Sequence, residues 1–507
     1  MTGLALEVSA SRLLGSVYGT SNIVWANIIG LILLYLTAGY FLGGRWADRS
    51  PQLRTFYTIL AVAAFFSGLI PLVARPILYA AGASFAALEV GAVLGSFFAV
   101  LVLFAVPVTL LGCASPFAVR LAMQDVRAAG NVAGRMYAVS TLGSIAGTFL
   151  PTLWLHGAIG TLWTFLLFAG LLMLVALAGL WRAGAARRAL LLLWMPLVLA
   201  GLTLLVAAGP LKPAPEGTTL LYERESAYNY IQVVEAGDCR YLLLNEGQGL
   251  HSVYCPGGRL RSGGTWDYFL AAPYFNAPPF RPEQVRSLAL VGLAAGTISK
   301  EYTAVYGPLP ITGIEIDPAI VDVGRAWFDM NEPNLRVVVE DGRYALAHDP
   351  QQYTVIGIDA YRLPYIPWHL TTREFFTEAK AHLTTDGTLA INVGRTSSDR
   401  RLVDALAATL ATVFPSVYVV DVPDTFNTIV FATVQPTVRE NLRANLAFVP
   451  NGSSPAENLL WNTVASAYLQ LQPTPAGGVV FTDDRAPVEE ITNALVIDFM
   501  LGGGFGQ

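Results

Sequence analysis

Three acidic residues stand at the carboxyl ends of short apolar runs in the second half of the chain. Glu315 ends the run ITGIE, Asp341 follows LRVVVE and Asp359 follows YTVIGI. In a doubly wound parallel sheet the carboxyl ends of the strands meet at one edge, which is where such sheets bind their ligands. Carboxylates at that edge can accept hydrogen bonds or take up a proton. The spacing therefore predicts a ligand site built on Glu315, Asp341 and Asp359.

Two glycines indicate what kind of ligand this is. The run at 287–296 contains Gly292 and ends in Gly296, and glycines at such a turn let a ligand approach the backbone and the next helix. Glu315 follows Gly292 by 23 residues, close to the spacing at which an acidic residue binds a ribose diol. The phosphate-binding pattern G-x-G-x-x-G is absent, which favours a nucleoside without a pyrophosphate. An ordinary strand-end turn explains the two glycines alone about as well.

The elements around these residues predict a soluble α/β domain at 281–507. Its first strand, at 287–296, is a continuous apolar run, which is typical of a parallel sheet covered on both faces. We expect five strands, at 287–296, 311–317, 335–342, 353–361 and 388–393. A shorter region at 213–280, rich in aromatic and β-branched residues, predicts a small β section that ends in a Pro-rich stretch.

A hairpin in the small β section carries two cysteines. Cys239 and Cys255 flank the sequence CRYLLLNEGQGLHSVYC, and folding it about Gly247 places them opposite each other. Opposed hairpin residues can approach the separation that a disulfide needs. Two unpaired cysteines in a cytosolic sheet explain the sequence about equally well.

The first 212 residues predict a transmembrane helical bundle. Stretches without charged residues occupy 13–44, 55–74, 90–119, 136–181 and 189–211. Each is at least as long as the roughly 20 residues that cross a bilayer, and 136–181 is long enough for two spans. With a short first helix at about 2–17, we count roughly seven spans, near 22–44, 55–74, 89–112, 136–155, 161–181 and 189–209.

The distribution of charge predicts which side of the membrane each part occupies. Nine arginines cluster in three alternate loops of the bundle, which the positive-inside rule assigns to the cytoplasm. If the last span crosses outward, the soluble domain lies outside the cytoplasm. Residues 1–212 hold 12 basic and 4 acidic residues, whereas the remainder holds 19 and 32. An acidic domain repels phosphate backbones, which disfavours nucleic acid as a partner, but it attracts cations. A role of the acidic residues in solubility alone explains the composition equally well.

Longer motifs resemble a known family. The chain is similar to the spermidine synthase family of aminopropyltransferases, within the S-adenosylmethionine-type Rossmann-like folds, and in particular to its membrane-fused bacterial branch. The motifs are GYFLGGRWADR (39–49), WDYFLAAPYF (266–275), IDAYRLPYIPWHLTTREFF (358–376) and TDDRAPVE (482–489).

The resemblance implies a role for each candidate residue. Glu315 would bind the ribose of decarboxylated S-adenosylmethionine or of its thioether product, and Asp341 would bind the adenine amino group. The donor substrate would be decarboxylated S-adenosylmethionine, or S-adenosylmethionine in its place. Asp359 would be the catalytic aspartate that accepts a proton from the attacking amine or orients it, and Tyr268 an active-site tyrosine. No tightly bound cofactor is expected. The expected partners are the lipid bilayer, a small amine or polyamine, and either a second copy of the chain or other membrane subunits.

Three positions depart from the family pattern. Ala295 replaces the aspartate of the glycine loop, Arg362 replaces the second active-site aspartate, and Asn229 replaces a glutamine. A hydrogen bond to a charged group contributes about 1.5–3 kcal/mol, so these changes weaken binding of the family's usual substrates. Two functions therefore stay open, an aminopropyltransferase and a non-catalytic synthase-like membrane subunit. The five histidines show no metal-binding spacing, so no metal site is predicted.

Overall fold

The structure is a computed structural model of the whole chain. It describes residues 1–18, 22–86, 91–123, 129–207, 214–245, 249–257, 259–260, 264–361, 365–452, 454–475 and 477–501. The chain divides into two compact units. The first comprises Met1–Pro213 with Glu223–Tyr230, and the second comprises Ala214–Tyr222 with Ile231–Gln507. The predicted domain boundaries at 212 and 280 stay predictions.

The first unit consists mainly of long apolar helices. A helix satisfies its own backbone hydrogen bonds, as a segment without access to water must. The helices are α1 (Thr2–Tyr18), α2 (Asn22–Arg49), α3 (Leu53–Ala86), α4 (Gly91–Ala122), α5 (Ala129–Leu150), α6 (His156–Arg182), α7 (Ala186–Leu191) and α8 (Trp194–Ala207), with a π-helical turn at Pro151–Leu155.

The number of candidate membrane spans differs from the prediction. Among the described residues, five helical segments are long and apolar enough to cross a bilayer, not seven. The segments are Asn22–Arg49, Leu53–Ala74, Leu94–Ala122, Gly130–Arg182 and Ala186–Val206. The first helix has only 17 residues. The predicted spans at 136–155 and 161–181 fall within one 53-residue segment, in which the π-helical turn joins α5 to α6 and Gly160 forms a kink.

The turn at 226–229 packs within the first unit. Gly160, with φ 78°, interrupts α6, and the next backbone N–H, that of Thr161, donates a hydrogen bond to Glu225 Oε2 at 2.6 Å. Arg12 donates to the backbone carbonyls of Ser226 and Ala227. The side chain of Glu225 thus satisfies a helix N–H that the break at Gly160 leaves without a helical partner.

A small antiparallel sheet contains the cysteine hairpin. Its strands are β1 (Thr219–Glu225), β2 (Tyr230–Ala236), β3 (Cys239–Leu244) and β4 (Leu250–Tyr254), in that order. Arg240 pairs with Tyr254, so Cys239 and Cys255 face each other, and the structure joins them in a disulfide. The predicted pairing of the two strands is confirmed, and the turn about Gly247 lies outside the described residues.

An eight-stranded sheet forms the centre of the second unit. Its order is β12-β10-β11-β9-β8-β5-β6-β7, with parallel pairing from β9 to β7 and antiparallel pairing among β9, β11, β10 and β12. The strands are β5 (Leu288–Val291), β6 (Ile311–Glu315), β7 (Leu335–Val339), β8 (Tyr353–Ile358), β9 (Leu383–Gly394), β10 (Ser416–Asp421), β11 (Asn427–Thr433) and β12 (Leu471–Gln472). The five predicted strands are therefore present, and the Rossmann-like fold is confirmed.

Helices cover the eight-stranded sheet and bury apolar cores against it. They are α9 (Thr297–Tyr306), α10 (Pro318–Trp327), α11 (Gly342–His348), α12 (Arg373–Ala381), α13 (Arg401–Ala411), α14 (Glu440–Asn445), α15 (Pro455–Leu469) and α16 (Val488–Leu501), with a 3-10 helix at Thr265–Phe275. Because β5, β6, β7 and β8 are parallel neighbours, their carboxyl ends form one edge of the sheet.

Candidate active site

The carboxyl edge brings the predicted glycines and carboxylates to adjacent strand ends. Gly292 follows β5, Glu315 ends β6, Asp341 follows β7 and Asp359 follows β8. Backbone hydrogen bonds fix this edge: the N–H of Asp359 donates to the carbonyl of Val291 at 2.8 Å.

Gly292 lies against the backbone of Asp359. Its φ is 93°, and a Cβ there would lie 2.6 Å from the carbonyl carbon of Asp359 and 2.7 Å from the backbone nitrogen of Ala360. Both conditions require glycine, since other L-residues rarely adopt this φ. Gly296, with φ 85°, is the N-cap of α9. Contacts within the protein are thus sufficient to explain both glycines, as the strand-end interpretation expects.

Glu315 is buried and holds the glycine loop. Its carboxylate accepts hydrogen bonds from the backbone N–H of Ala294 at 2.9 Å and of Asp317 at 3.1 Å. Burial raises the pKa of Glu315 to about 7, although these backbone donors act in the opposite direction. Near neutral pH the group is therefore divided between its two protonation states.

Asp341 caps a helix. Oδ1 accepts hydrogen bonds from the backbone N–H groups of Arg343 and Tyr344, and Oδ2 lies 3.0 Å from Nε2 of His369. Such caps stabilise a helix by about 1 kcal/mol. Both oxygens of Asp341 are thus engaged within the protein, while roughly a third of its side chain stays exposed.

Asp359 accepts hydrogen bonds from polar side chains in a partly buried setting. Asn392, on β9, donates to its Oδ1 at 2.9 Å. Burial raises the pKa of Asp359, and hydrogen bonds from Asn392 and Trp266 partly offset that rise. A carboxylate that is partly exposed, is oriented by hydrogen bonds and has a raised pKa is suited to accept a proton from an amine.

Tyr268 and Trp266 lie two residues apart in the 3-10 helix at Thr265–Phe275, and the role of Tyr268 stays a prediction. The hydroxyl of Tyr268 lies 2.7 Å from Oγ of Ser466 on α15, and the side chain that reaches Asp359 from the same segment is Trp266. Sequence reasoning missed both Trp266 and Asn392. A signal existed for Asn392, since it is the one polar residue in the apolar run LAINV of a buried strand.

The departures from the family pattern take distinct positions. Ala295 is 1% exposed and packs in an apolar cluster with Ile231 and Ala319, and its N–H donates to Ser252 Oγ at 2.9 Å. Asn229 lies in the turn at 226–229, where its N–H donates to Ser226 Oγ. Arg362 lies outside the described residues. Among the described residues no group of three His, Cys, Asp or Glu side chains is arranged to hold a metal ion.

The sequence is similar to a known protein family and to individual proteins. Residues 301–443 match the spermine/spermidine synthase domain. The resemblance to the spermidine synthase family is confirmed. The chain is 33% identical over 285 residues to a probable polyamine aminopropyl transferase of Bifidobacterium longum, covering 54% of this chain and 62% of that protein. It is 29% identical over 222 residues to a polyamine aminopropyltransferase of Vibrio vulnificus, covering 41% of this chain and 69% of the relative.

Solved structures are also similar. A probable spermidine synthase of Corynebacterium glutamicum shares 20% identity with a TM-score of 0.40, over 50% of this chain and 95% of that one. The spermidine synthase of Thermotoga maritima shares 17% identity with a TM-score of 0.36, over 44% and 77%. The chain spans about three fifths of the length of the Bifidobacterium relative.

Proposed function

We propose that the protein is a membrane-anchored aminopropyltransferase that moves an aminopropyl group from decarboxylated S-adenosylmethionine to a small amine. The amine nitrogen attacks the carbon bonded to the sulfonium sulfur. A C–N bond forms, the C–S bond breaks, and the sulfur leaves as the thioether methylthioadenosine. The attacking nitrogen loses a proton, which Asp359 accepts and passes to solvent.

The observation that carries the proposal is the setting of Asp359. It is held by Asn392 and Trp266 at the end of β8, beside the glycine loop that follows β5. The buried Glu315 binds that loop from the next strand end, where a ribose would lie in a fold of this kind. Relatives named polyamine aminopropyltransferase support the same chemistry.

A second candidate is a non-catalytic membrane subunit. It is favoured by the carboxylates of Glu315 and Asp341, which accept hydrogen bonds from the protein's own backbone. It is also favoured by Ala295, which leaves the glycine loop without the family's carboxylate. The two candidates differ in one measurable property, because only the enzyme needs to bind a nucleoside.

The pH dependence of methylthioadenosine affinity tests the proposal. A ribose diol donates to the carboxylate form of Glu315, and that form is populated only as the pH rises through about 7. We therefore expect the dissociation constant for methylthioadenosine, measured with the full chain in detergent micelles, to fall about tenfold between pH 6 and pH 8. Isothermal titration calorimetry measures it.

Matched variants make this test specific. Glu315→Gln should bind more weakly and show no such pH dependence, whereas Glu340→Gln, at an exposed neighbour of Asp341, should keep the wild-type profile. If the wild-type protein gives no heat with millimolar methylthioadenosine, the proposed transferase function is wrong and the non-catalytic subunit is favoured.

The proposal also includes a location. We propose that the soluble region lies on the side of the membrane opposite the arginine-rich loops. The loop charges support this, and so does the disulfide between Cys239 and Cys255, because disulfides persist in oxidising compartments.

Mass spectrometry of protein alkylated in intact cells, without reduction, checks the location. We expect the peptides of Cys239 and Cys255 to be joined. Cys113, which is buried and unpaired, should be alkylated only after denaturation and serves as the internal control. Free Cys239 and Cys255 thiols would argue for a cytoplasmic domain.

A further inference from the structure

The motif at 482–489 holds a carboxylate against the start of α12. Backbone hydrogen bonds between Thr482 and Arg485, at 2.9 and 3.0 Å, close a tight turn that contains Asp483. The backbone N–H of Asp483 donates to Oε2 of Glu374, in the first turn of α12, at 3.0 Å. The turn therefore presents the carboxylate of Asp483 at a fixed place beside this helix.

Arg343 connects this carboxylate to α11. Its guanidinium donates to both oxygens of Asp483, at 2.8 and 2.9 Å, and to both oxygens of Glu378 on α12, at 2.6 and 2.8 Å. Paired bonds between a guanidinium and a carboxylate are charge-assisted and fix direction as well as distance. Thr372, the N-cap of α12, also donates to Oδ1 of Asp483 at 2.7 Å. The bonds from Arg343 hold the pKa of Asp483 below its ordinary value, so this carboxylate is ionised at neutral pH.

Arg343 in turn reaches Asp341 by two routes. Its backbone N–H donates to Oδ1 of Asp341 at 3.1 Å, as part of the cap of α11. Its Nη1 donates to the backbone carbonyl of His369 at 3.4 Å, and Nε2 of His369 lies 3.0 Å from Oδ2 of Asp341. Each oxygen of Asp341 thus has a partner whose place depends on Arg343, and the guanidinium of Arg343 is held by Asp483.

We infer that Asp483 is a positioning residue for Asp341. Through Arg343 it fixes the first turn of α11 and the backbone of His369, which together set the direction of the Asp341 carboxylate. The inference rests on the proposed function, in which Asp341 binds the adenine amino group of the nucleoside. It gives the motif at 482–489 a role in nucleoside affinity, whereas the proposed transfer step uses no residue of that motif.

A double-mutant cycle tests the inference by calorimetry with methylthioadenosine, on the full chain in detergent micelles. We expect Asp483→Ala to raise the dissociation constant at least fivefold, because Arg343 then keeps only Glu378 as a carboxylate partner. Asp341→Asn keeps a good helix cap but replaces one acceptor oxygen by a donor. In that background Asp483→Ala should change the affinity less than twofold, since its effect passes through Asp341. The control Asp484→Ala removes an exposed carboxylate from the same turn and should change the affinity less than twofold in either background.

The cycle distinguishes positioning from a general structural effect. If Asp483→Ala weakens binding by the same factor in both backgrounds, it acts on stability or net charge alone, and the inference is wrong. It is also wrong if Asp483→Ala binds methylthioadenosine as tightly as wild type. Asp483→Asn keeps one acceptor oxygen and provides a second variant if Asp483→Ala does not fold; a smaller loss with the same dependence on Asp341 is expected.

The outcomes also separate this role from the proposed reaction. Aminopropyl transfer by wild type together with an unaltered affinity of Asp483→Ala would overturn the inference and leave the reaction in place. A loss of affinity that depends on Asp341, without any transfer, would support the positioning role and overturn the reaction. Wild-type protein that gives no heat with millimolar methylthioadenosine would overturn both.

Discussion

Asp359→Asn is expected to lower the rate of aminopropyl transfer by about 10²- to 10⁴-fold, the range that general acid–base catalysis contributes. Asparagine keeps the shape of the side chain but cannot take up the amine proton. The hydrogen-bonding partners Asn392 and Trp266 remain, so the fold should persist and the affinity for methylthioadenosine should change less than twofold. Steady-state rates of methylthioadenosine release measure the loss in kcat.

The matched control for this variant is Asp424→Asn. Asp424 is an exposed carboxylate with φ 56°, a conformation that asparagine tolerates, so the substitution removes the same charge without touching the site. It should transfer at the wild-type rate. Full turnover by Asp359→Asn would rule out this residue as the base.

Gly292→Ala should have the largest effect on stability. The positive φ costs a residue with a Cβ about 1–2 kcal/mol, and displacing the Asp359 backbone adds about 1–3 kcal/mol. We therefore expect the free energy of unfolding to fall by about 2–5 kcal/mol. Pulse proteolysis of the full chain across a urea series measures the unfolded fraction. Residual transfer should fall as well, since the shift moves Asp359.

Gly237→Ala separates the two contributions. Gly237 has φ 57°, and no atom lies within 4 Å of where its Cβ would be, so only the conformational cost applies. A loss of about 1–2 kcal/mol is expected there. If both variants lose the same amount, the close approach of Gly292 to Asp359 does not constrain this edge.

The strand ends could be predicted because β6 and β8 are largely apolar runs that stop at a carboxylate. Glu315 and Asp359 follow such runs directly, and their placement at the carboxyl edge follows from the parallel order. The hairpin register could be predicted for a similar reason, since it depends only on local pairing about the turn between Cys239 and Cys255.

Contacts between residues distant in sequence could not be predicted. Gly292 and Asp359 are 67 positions apart in sequence, and their backbones come into contact only when β5 pairs with β8. Trp266 and Tyr268 lie two residues apart in one 3-10 helix and face different partners, which the motif alone does not reveal. The span count was wrong because apolarity alone does not show that 136–155 and 161–181 lie in one kinked helical segment, or that the first helix has only 17 residues.

The central claim is the transfer reaction, and product stoichiometry tests it most directly. Purified full-length protein in detergent micelles would be mixed with decarboxylated S-adenosylmethionine and 1,4-diaminobutane, and both products quantified by mass spectrometry. We expect one methylthioadenosine for each aminopropylated diamine, and formation of both products about 10²- to 10⁴-fold slower for Asp359→Asn. Tight methylthioadenosine binding without either product, or thioether release that does not depend on the amine, would contradict it.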